Sequence, residues 1–197
     1  MSTYDRHAAD YDATRGGVPR ASAAADVVGR LLVPGSTVLD LATGTGIVAV
    51  ELRRRGFHTV GIDVSDGMLR NAAGRLPGSV ARAAAEAMPL RDGSIDAVVA
   101  IWLLHLLDAV APTVREVTRV LAPGGLFVTT ADKRAASRLS WGAVADDGTD
   151  ADRAALLVRD CAAVGLDLVG AASFVGVGQA APGRPDPVYP VLAFRRN

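Results

Sequence analysis

The sequence predicts an α/β protein built on one doubly wound, mostly parallel sheet of seven strands. Three observations predict it. Short apolar runs alternate with helix-length segments through most of the chain. Half of the residues are hydrophobic but only 5% are aromatic, so the apolar mass is Ala, Val and Leu, which suits a buried parallel sheet clad in helices. The chain of 197 residues is long enough to bury one sizeable core without staples, and its single cysteine, Cys161, offers no intrachain disulfide and reads as a buried thiol.

The elements follow in order. Residues Ala21 to Leu32 read as a helix stopped by Pro34-Gly35, and Thr37 to Leu41 as the first strand. Gly46 to Arg55 is a helix ended by Gly56, and Thr59 to Ile62 the second strand. Ser65 can cap a helix running to about Gly74, "SVARA" is a weak third strand, and "IDAVVAI" from Ile95 is the fourth. A helix from Ala109 to Leu121 is stopped by Pro123-Gly124-Gly125, and "GLFVTT" is the fifth strand. Asp150 to Val164 is a further helix. The last strands, near Leu166 to Val175 and Val188 to Arg195, have only a Gly/Pro-rich loop between them and should pair as an antiparallel hairpin. One domain, 1–197, is expected, with residues 1–20 as an N-terminal arm or lid.

Composition excludes several functions. Net charge is zero with no long basic run, which disfavours nucleic-acid capture. The polar start "MSTYDRHAADYDATR" is unlike a secretory signal, and no apolar stretch reaches the roughly 18 residues of a membrane span, so a soluble cytoplasmic protein is expected. No metal cluster is expected.

Chemistry concentrates in "VLDLATGTGIVAVEL" (38–52), where an apolar run ends in an acid and turns through small residues into a helix. A phosphate-binding loop needs Lys and a hydroxyl after its last glycine; Ile47 and Val48 stand there instead. Gly44, Gly46 and Ala49 fit the dinucleotide pattern G-x-G-x-x-A, with Asp63 where a ribose-binding acid belongs. Asp40, however, aims a carboxylate into the same turn, which suits a ligand with a cationic amine; its alternative is to cap the turn.

Four blocks taken together, "DLATGTG", "GIDVSDGML", "AEAMPLRDGSIDAVVAIWLLHLL" and "VLAPGGLFVTT", resemble the class I S-adenosylmethionine-dependent methyltransferases, in particular the small-molecule group called type 11, over roughly residues 4 to 130. The resemblance implies a Rossmann-like fold, S-adenosyl-L-methionine as cofactor, S-adenosyl-L-homocysteine as product, and a small-molecule acceptor. Asp40 would then orient the amino group of the methionine end. Ala42, Thr43, Gly44 and Gly46 would bring backbone close to the ligand. Asp63 would accept both ribose hydroxyls, and Val64 and Met68 would cover the adenine, although Met68 could equally be core. Ala100, at the end of the fourth strand, is assigned to the cofactor as well. Tyr11 and Arg15 match positions that close over the methionine moiety, with Arg15 a candidate for its carboxylate; the other reading is a solvated arm. One position departs from the group: Ala84 stands where an Asp usually accepts from the adenine amino group, which leaves the base to the backbone of Ala85 and to Glu86.

Catalysis is less legible. A methyl displacement needs a general base only if its acceptor must lose a proton. His105, just past the fourth strand on the rim where open sheets bind ligands, is the candidate base or substrate contact, the alternative being a helix-start or packing residue. Trp102 and Trp141 give the rim an apolar cast and are assigned to a small, partly apolar acceptor. A monomer or homodimer is expected. Two other classes stay open: a nicotinamide-dependent oxidoreductase, and a protein that keeps this fold for binding or for non-methylating chemistry.

Overall fold

In a computed structural model, which describes residues 3–131, 149–180 and 183–197, seven strands form one sheet. They are β1 Thr37–Leu41, β2 His58–Asp63, β3 Val80–Arg82, β4 Ile95–Ala100, β5 Leu121–Thr130, β6 Leu166–Val175 and β7 Val188–Arg196, in the order β3-β2-β1-β4-β5-β7-β6. The first five are parallel; β7 lies antiparallel between β5 and β6. The helices are α1 Tyr11–Thr14, α2 Gly17–Leu31, α3 Ile47–Arg54, α4 Asp66–Arg75, α5 Ala111–Val120 and α6 Thr149–Ala162. None of them, among the described residues, is long and apolar enough to cross a membrane.

The strand pleat divides the core. Ala97, Val99 and Ile101 of the β4 segment face α2 and α3 with Val38 and Val128, while Val98 and Ala100 face α5 and α6 with Leu39, Leu41 and Phe127. Successive side chains point to opposite faces, so a strand covered on both sides must be apolar throughout. Each fully buried Leu contributes about 1.5–3 kcal/mol.

Two boundaries differ from the sequence reading. β5 begins at Leu121, because Leu121 is already extended after α5. Pro123-Gly124-Gly125 interrupts that strand rather than preceding it, so the register with β4 steps from Ile95↔Leu121 to Ala97↔Leu126. α2 starts at Gly17, four residues before the expected Ala21. Gly16 makes the turn at φ +82°, and Pro19 falls in the first helical turn, where its missing N–H leaves no helical bond unmade.

The arm has more anchorage than its scarce apolar surface implies, and the anchorage is polar. Asp5 Oδ1 accepts from the Ser65 hydroxyl (2.6 Å) and from the Gly67 N–H (2.9 Å), adding a second cap to α4. Asp12 accepts from the Thr45 hydroxyl (2.6 Å) and pairs with Arg75 (2.7 Å). Asn71 donates to the carbonyl of Ala8 (2.7 Å).

Candidate functional site

The site forms where the chain crosses the carboxyl ends of β1, β2 and β4. After Leu41 the backbone enters the left-handed region three times, at Ala42 (φ +59°), Gly44 (φ +57°) and Gly46 (φ +77°), before α3 begins. Ala42 is the one non-glycine of the three and bears a cost of about 1–2 kcal/mol for that conformation. Thr43 fastens the turn: its N–H donates to the carbonyl of Ile62 (2.9 Å) and its hydroxyl to Asp40 Oδ2 (2.7 Å). Gly61 of β2 makes room for it, since a Cβ there would stand 2.8 Å from the Thr43 side chain.

Asp40 is only 4% exposed. Burial pushes its carboxyl up to about 7 and the nearby Asp63 charge adds to this, against the Thr43 hydrogen bond, which pulls down. Asp63 holds the two loops together, Oδ2 accepting from the Gly44 N–H (2.9 Å) and Oδ1 from the Ser65 N–H (2.8 Å). Ser65 in turn caps α4 by accepting from the Met68 N–H (3.2 Å), as its position in the sequence suggested.

A cavity of about 280 Å³ opens above these loops. Of the residues expected at the cofactor or acceptor, Tyr11, Asp40, Ala42, Thr43, Gly44, Asp63, Val64, Met68 and Trp102 line it. Gly44 faces open space: a Cβ built on it would meet no atom within 4 Å. Gly46 does not line the cavity. Its Cβ would stand 3.2 Å from Ala72 and Leu76, so this glycine serves the packing of α3 on α4. Ala100 is fully buried in the α5 face of the core, and its successors Ile101 and Trp102 reach the cavity instead. Arg15 is exposed, with its guanidinium 5.9 Å from the centre of the Tyr11 ring, and is not in the lining. Ala85 packs against the core and Glu86 is exposed, both outside the lining.

His105 opens on a neighbouring cleft of about 310 Å³, with Asp108 and Asp160, which shares only Leu107 with the cavity. Packing decides this: the short 3-10 turn Leu104–Leu106 buries Leu104 and turns His105 toward α6. Trp141 lies outside the described residues.

Sequence reasoning missed Tyr4 and, more consequentially, Arg20, which both line the cavity. Arg20 is buried and its guanidinium lies 3.7 Å from the centre of the Trp102 ring. A signal existed: Arg20 falls on the buried stripe of α2 that continues through Ala21, Ala24, Ala25, Val27 and Val28. No group of His, Cys, Asp and Glu able to hold a metal ion occurs among the described residues.

An open, mostly parallel sheet with an acid at the ends of β1 and β2, and a glycine turn between them, is the Rossmann-like arrangement. Residues 39–129 match the family model of a methyltransferase domain. A methyltransferase of Mycobacterium tuberculosis of uncharacterised activity is 42% identical over 108 residues, covering 53% of this chain and 42% of that one. The demethylmenaquinone methyltransferase of Mycolicibacterium paratuberculosis is 42% identical over 96 residues, or 48% and 41% of the two chains. This chain therefore spans less than half the length of the curated relatives it matches. Among solved structures, the methyltransferase in complex with the Haloferax volcanii Trm112 activator superposes with a TM-score of 0.76 at 19% identity, covering 100% and 99% of the chains. The [4+2]-cyclase SpnF gives 0.71 at 20% identity, over 98% and 93%. Over residues 39–129, somewhat under half of its length, the chain is thus similar to methyltransferase domains, and its fold is that of the solved methyltransferases.

Proposed function

We propose that the cavity binds S-adenosyl-L-methionine and that the protein moves its methyl group to a small, partly apolar acceptor. One observation carries the reading. Two carboxylates at adjacent strand ends, one of them buried, flank a turn whose Gly44 leaves space that any Cβ would fill. The residues present fit the cofactor. Asp40 is placed for a cationic amine. Each oxygen of Asp63 takes one backbone N–H and keeps a lone pair for a ribose hydroxyl. Val64 and Met68 flank the place of the base. Ala83 N–H donates to the Asp63 carbonyl, which brings Ala85 and Glu86 to the same edge. Tyr11, and Arg15 behind it, cover the methionine end when the arm is seated. The cofactor supplies an electrophilic methyl on a sulfonium and leaves as S-adenosyl-L-homocysteine. The protein's part is to orient the reactants and exclude water.

Ile101, Trp102, Leu103, Leu106 and Leu107 make the far wall apolar. A flat, quinone-like acceptor suits that wall and agrees with the name of the mycobacterial demethylmenaquinone relatives. His105 is not needed as a base if the acceptor is bound already deprotonated.

Calorimetry with S-adenosylhomocysteine and, separately, NAD tests the cofactor. The first should bind and the second should not; the reverse would return the oxidoreductase reading. Labelled methyl transfer to a panel of hydroxylated arenes then tests the activity. A second reading, in which the cofactor is held but not consumed, has the fold's likeness to a [4+2]-cyclase behind it. It predicts cofactor binding with no labelled product from any acceptor.

A further inference from the structure

Arg20 is a charge buried in the cavity wall and, among the described residues, has no opposite charge paired with it. It is 5% exposed. Among the described residues no ion pair joins Arg20 to a carboxylate; burial pulls its pKa down, and the groups that bear on it are Tyr11, Tyr189 and the like-charged Arg15. Arg20 shares the cavity lining with Asp40 and Asp63, the acids assigned to the amino group and the ribose. Burying a guanidinium unpaired is expensive, and structures that do so generally have a use for it.

Its surroundings are built rather than incidental. The guanidinium carbon lies over the Trp102 ring, 3.7 Å from its centre. Trp102 is braced edge-on by Phe174 (5.7 Å) and Tyr189 (5.6 Å), which stack on each other at 5.2 Å. The Tyr189 hydroxyl donates to Gln179 Oε1 (2.6 Å), fixing the back of the cluster. Gly16 lets the start of α2 press against that region, since a Cβ there would stand 2.6 Å from the Val177 carbonyl. Two further features mark Trp102 itself. Its backbone is left-handed at φ +64°, a conformation rare for a bulky residue, held by its N–H donating to Thr130 Oγ1 (2.9 Å). Its indole Nε1 is buried and has no hydrogen-bond partner among the described residues. A buried cation and a buried, unsatisfied donor thus meet on one cavity-lining side chain.

We infer that Arg20, stacked on Trp102, is an oxyanion seat for the acceptor, so that the acceptor class is a small flat molecule carrying a phenolate, enolate or carboxylate oxygen. The inference rests on the methyltransferase reading for the word acceptor, but the subsite itself is a binding claim. A cation held rigidly on an aromatic face favours the anionic form of a hydroxyarene, which removes the need for a separate base in the cavity. It also separates two tasks by position: acids toward β1 and β2 for the cofactor, the cation toward β4 and β7 for the acceptor.

The test uses 2-naphthoate and its neutral counterpart 2-naphthamide as probes, titrated into the full chain saturated with S-adenosylhomocysteine. The wild-type protein should bind the naphthoate at least tenfold more tightly than the amide, and Arg20→Met should erase that preference while leaving amide binding within about threefold. Equal binding of the two probes by the wild type overturns the inference without any variant. Should Arg20→Met fail to fold, Arg20→Lys, which keeps the charge and loses the guanidinium over the ring, should keep a reduced preference; an undiminished one removes Trp102 from the seat. The cofactor's own carboxylate is the rival source of an oxyanion. If Arg20→Met weakens S-adenosylhomocysteine tenfold or more but not 5′-methylthioadenosine, which lacks the amino acid end, Arg20 reads the cofactor and the acceptor assignment falls. If S-adenosylhomocysteine binds neither protein, the cofactor reading fails on its own, and the two naphthalene probes on the unloaded protein still decide the subsite.

Discussion

Asp40→Asn separates the turn's contribution to folding from its contribution to binding. In the folded protein the Asp40 carboxyl is pushed up to about 7 from its ordinary value of 3.8, because burial disfavours its charge. A folded value above the unfolded one means that between about pH 4 and 7 the native state holds a proton the unfolded chain has released. Stability is therefore full below the unfolded value, falls as pH rises through this window, and levels off above about 7. Raising the value from 3.8 to about 7 corresponds to roughly 4 kcal/mol at most. Asp40→Asn carries no such proton: the Thr43 hydroxyl can still bond the side-chain carbonyl, so the variant should be the more stable protein at pH 8 and similar at pH 4. Binding should run the other way. A ligand ammonium favours the carboxylate, so affinity for S-adenosylhomocysteine should rise with pH by up to tenfold per unit between about 5 and 7 and then flatten. The variant should bind weakly with no such rise. Thermal denaturation across pH, and calorimetry in buffers of different ionisation enthalpy to count the proton released, measure both limbs. A wild type whose stability relative to Asp40→Asn does not change between pH 4 and 8, or whose affinity is flat, refutes the account of the buried acid.

Asp63→Ala should lose about 2–3 kcal/mol of cofactor affinity, the scale of a charge-assisted pair, and should also lower the melting temperature because the Gly44 and Ser65 N–H groups lose their acceptor; unchanged calorimetry in a folded variant would remove Asp63 from the site. Gly44→Val should abolish binding with the helical circular-dichroism signal kept, whereas Gly46→Ala should cost about 1–2 kcal/mol of stability through its left-handed backbone and its approach to α4, with much less effect on affinity in whatever protein remains folded; the opposite pattern would exchange the two roles. Gly67→Ala puts a Cβ 2.9 Å from Asp5 Cα and so should unseat the arm, while Ala favours a helix over Gly by up to about 1 kcal/mol. Weaker S-adenosylhomocysteine binding with an intact core is the expected outcome, and hydrogen exchange across residues 4–17 that is the same with and without the ligand would end the lid reading.

Most of the fold was legible because its signals are local. Short apolar runs, the punctuation of Pro34-Gly35 and Gly56, and the Ser65 cap each act within a few residues, and they placed the strands and the C-terminal hairpin. The start of β5 escaped because Pro123-Gly124-Gly125 reads as a stop signal in sequence, yet an interrupted strand can absorb it as a register step. The loops that follow β1 and β2 were legible for a related reason. Asp40, Thr43, Gly44 and Asp63 are tied to strand ends, so the sheet's topology carries them to one place. His105 and Arg20 are not tied in that way: a 3-10 turn and the first turn of a helix can aim a side chain either way, and packing chose.

Glycines show how much packing adds. Gly44 and Gly46 belong to one motif and both have positive φ, yet one borders empty space and the other borders Ala72 and Leu76. Gly61 and Gly67 lie outside the motif and still shape the site, the first by admitting Thr43 and the second by admitting Asp5. A chain of support follows. Gly61 lets Thr43 approach, Thr43 holds the Asp40 carboxyl, and that carboxyl stays buried at the cost its raised titration records. Arg20 is the same arrangement with the opposite sign on the other wall: a buried charge braced by neighbours that do not neutralise it. Each charge is destabilising to the free protein and would be relieved by a ligand group of opposite sign. A ligand set carrying an amine at one end and an oxyanion at the other therefore stabilises the fold at both walls at once, which predicts that cofactor and anionic acceptor together raise the melting temperature by about the sum of their separate effects or more.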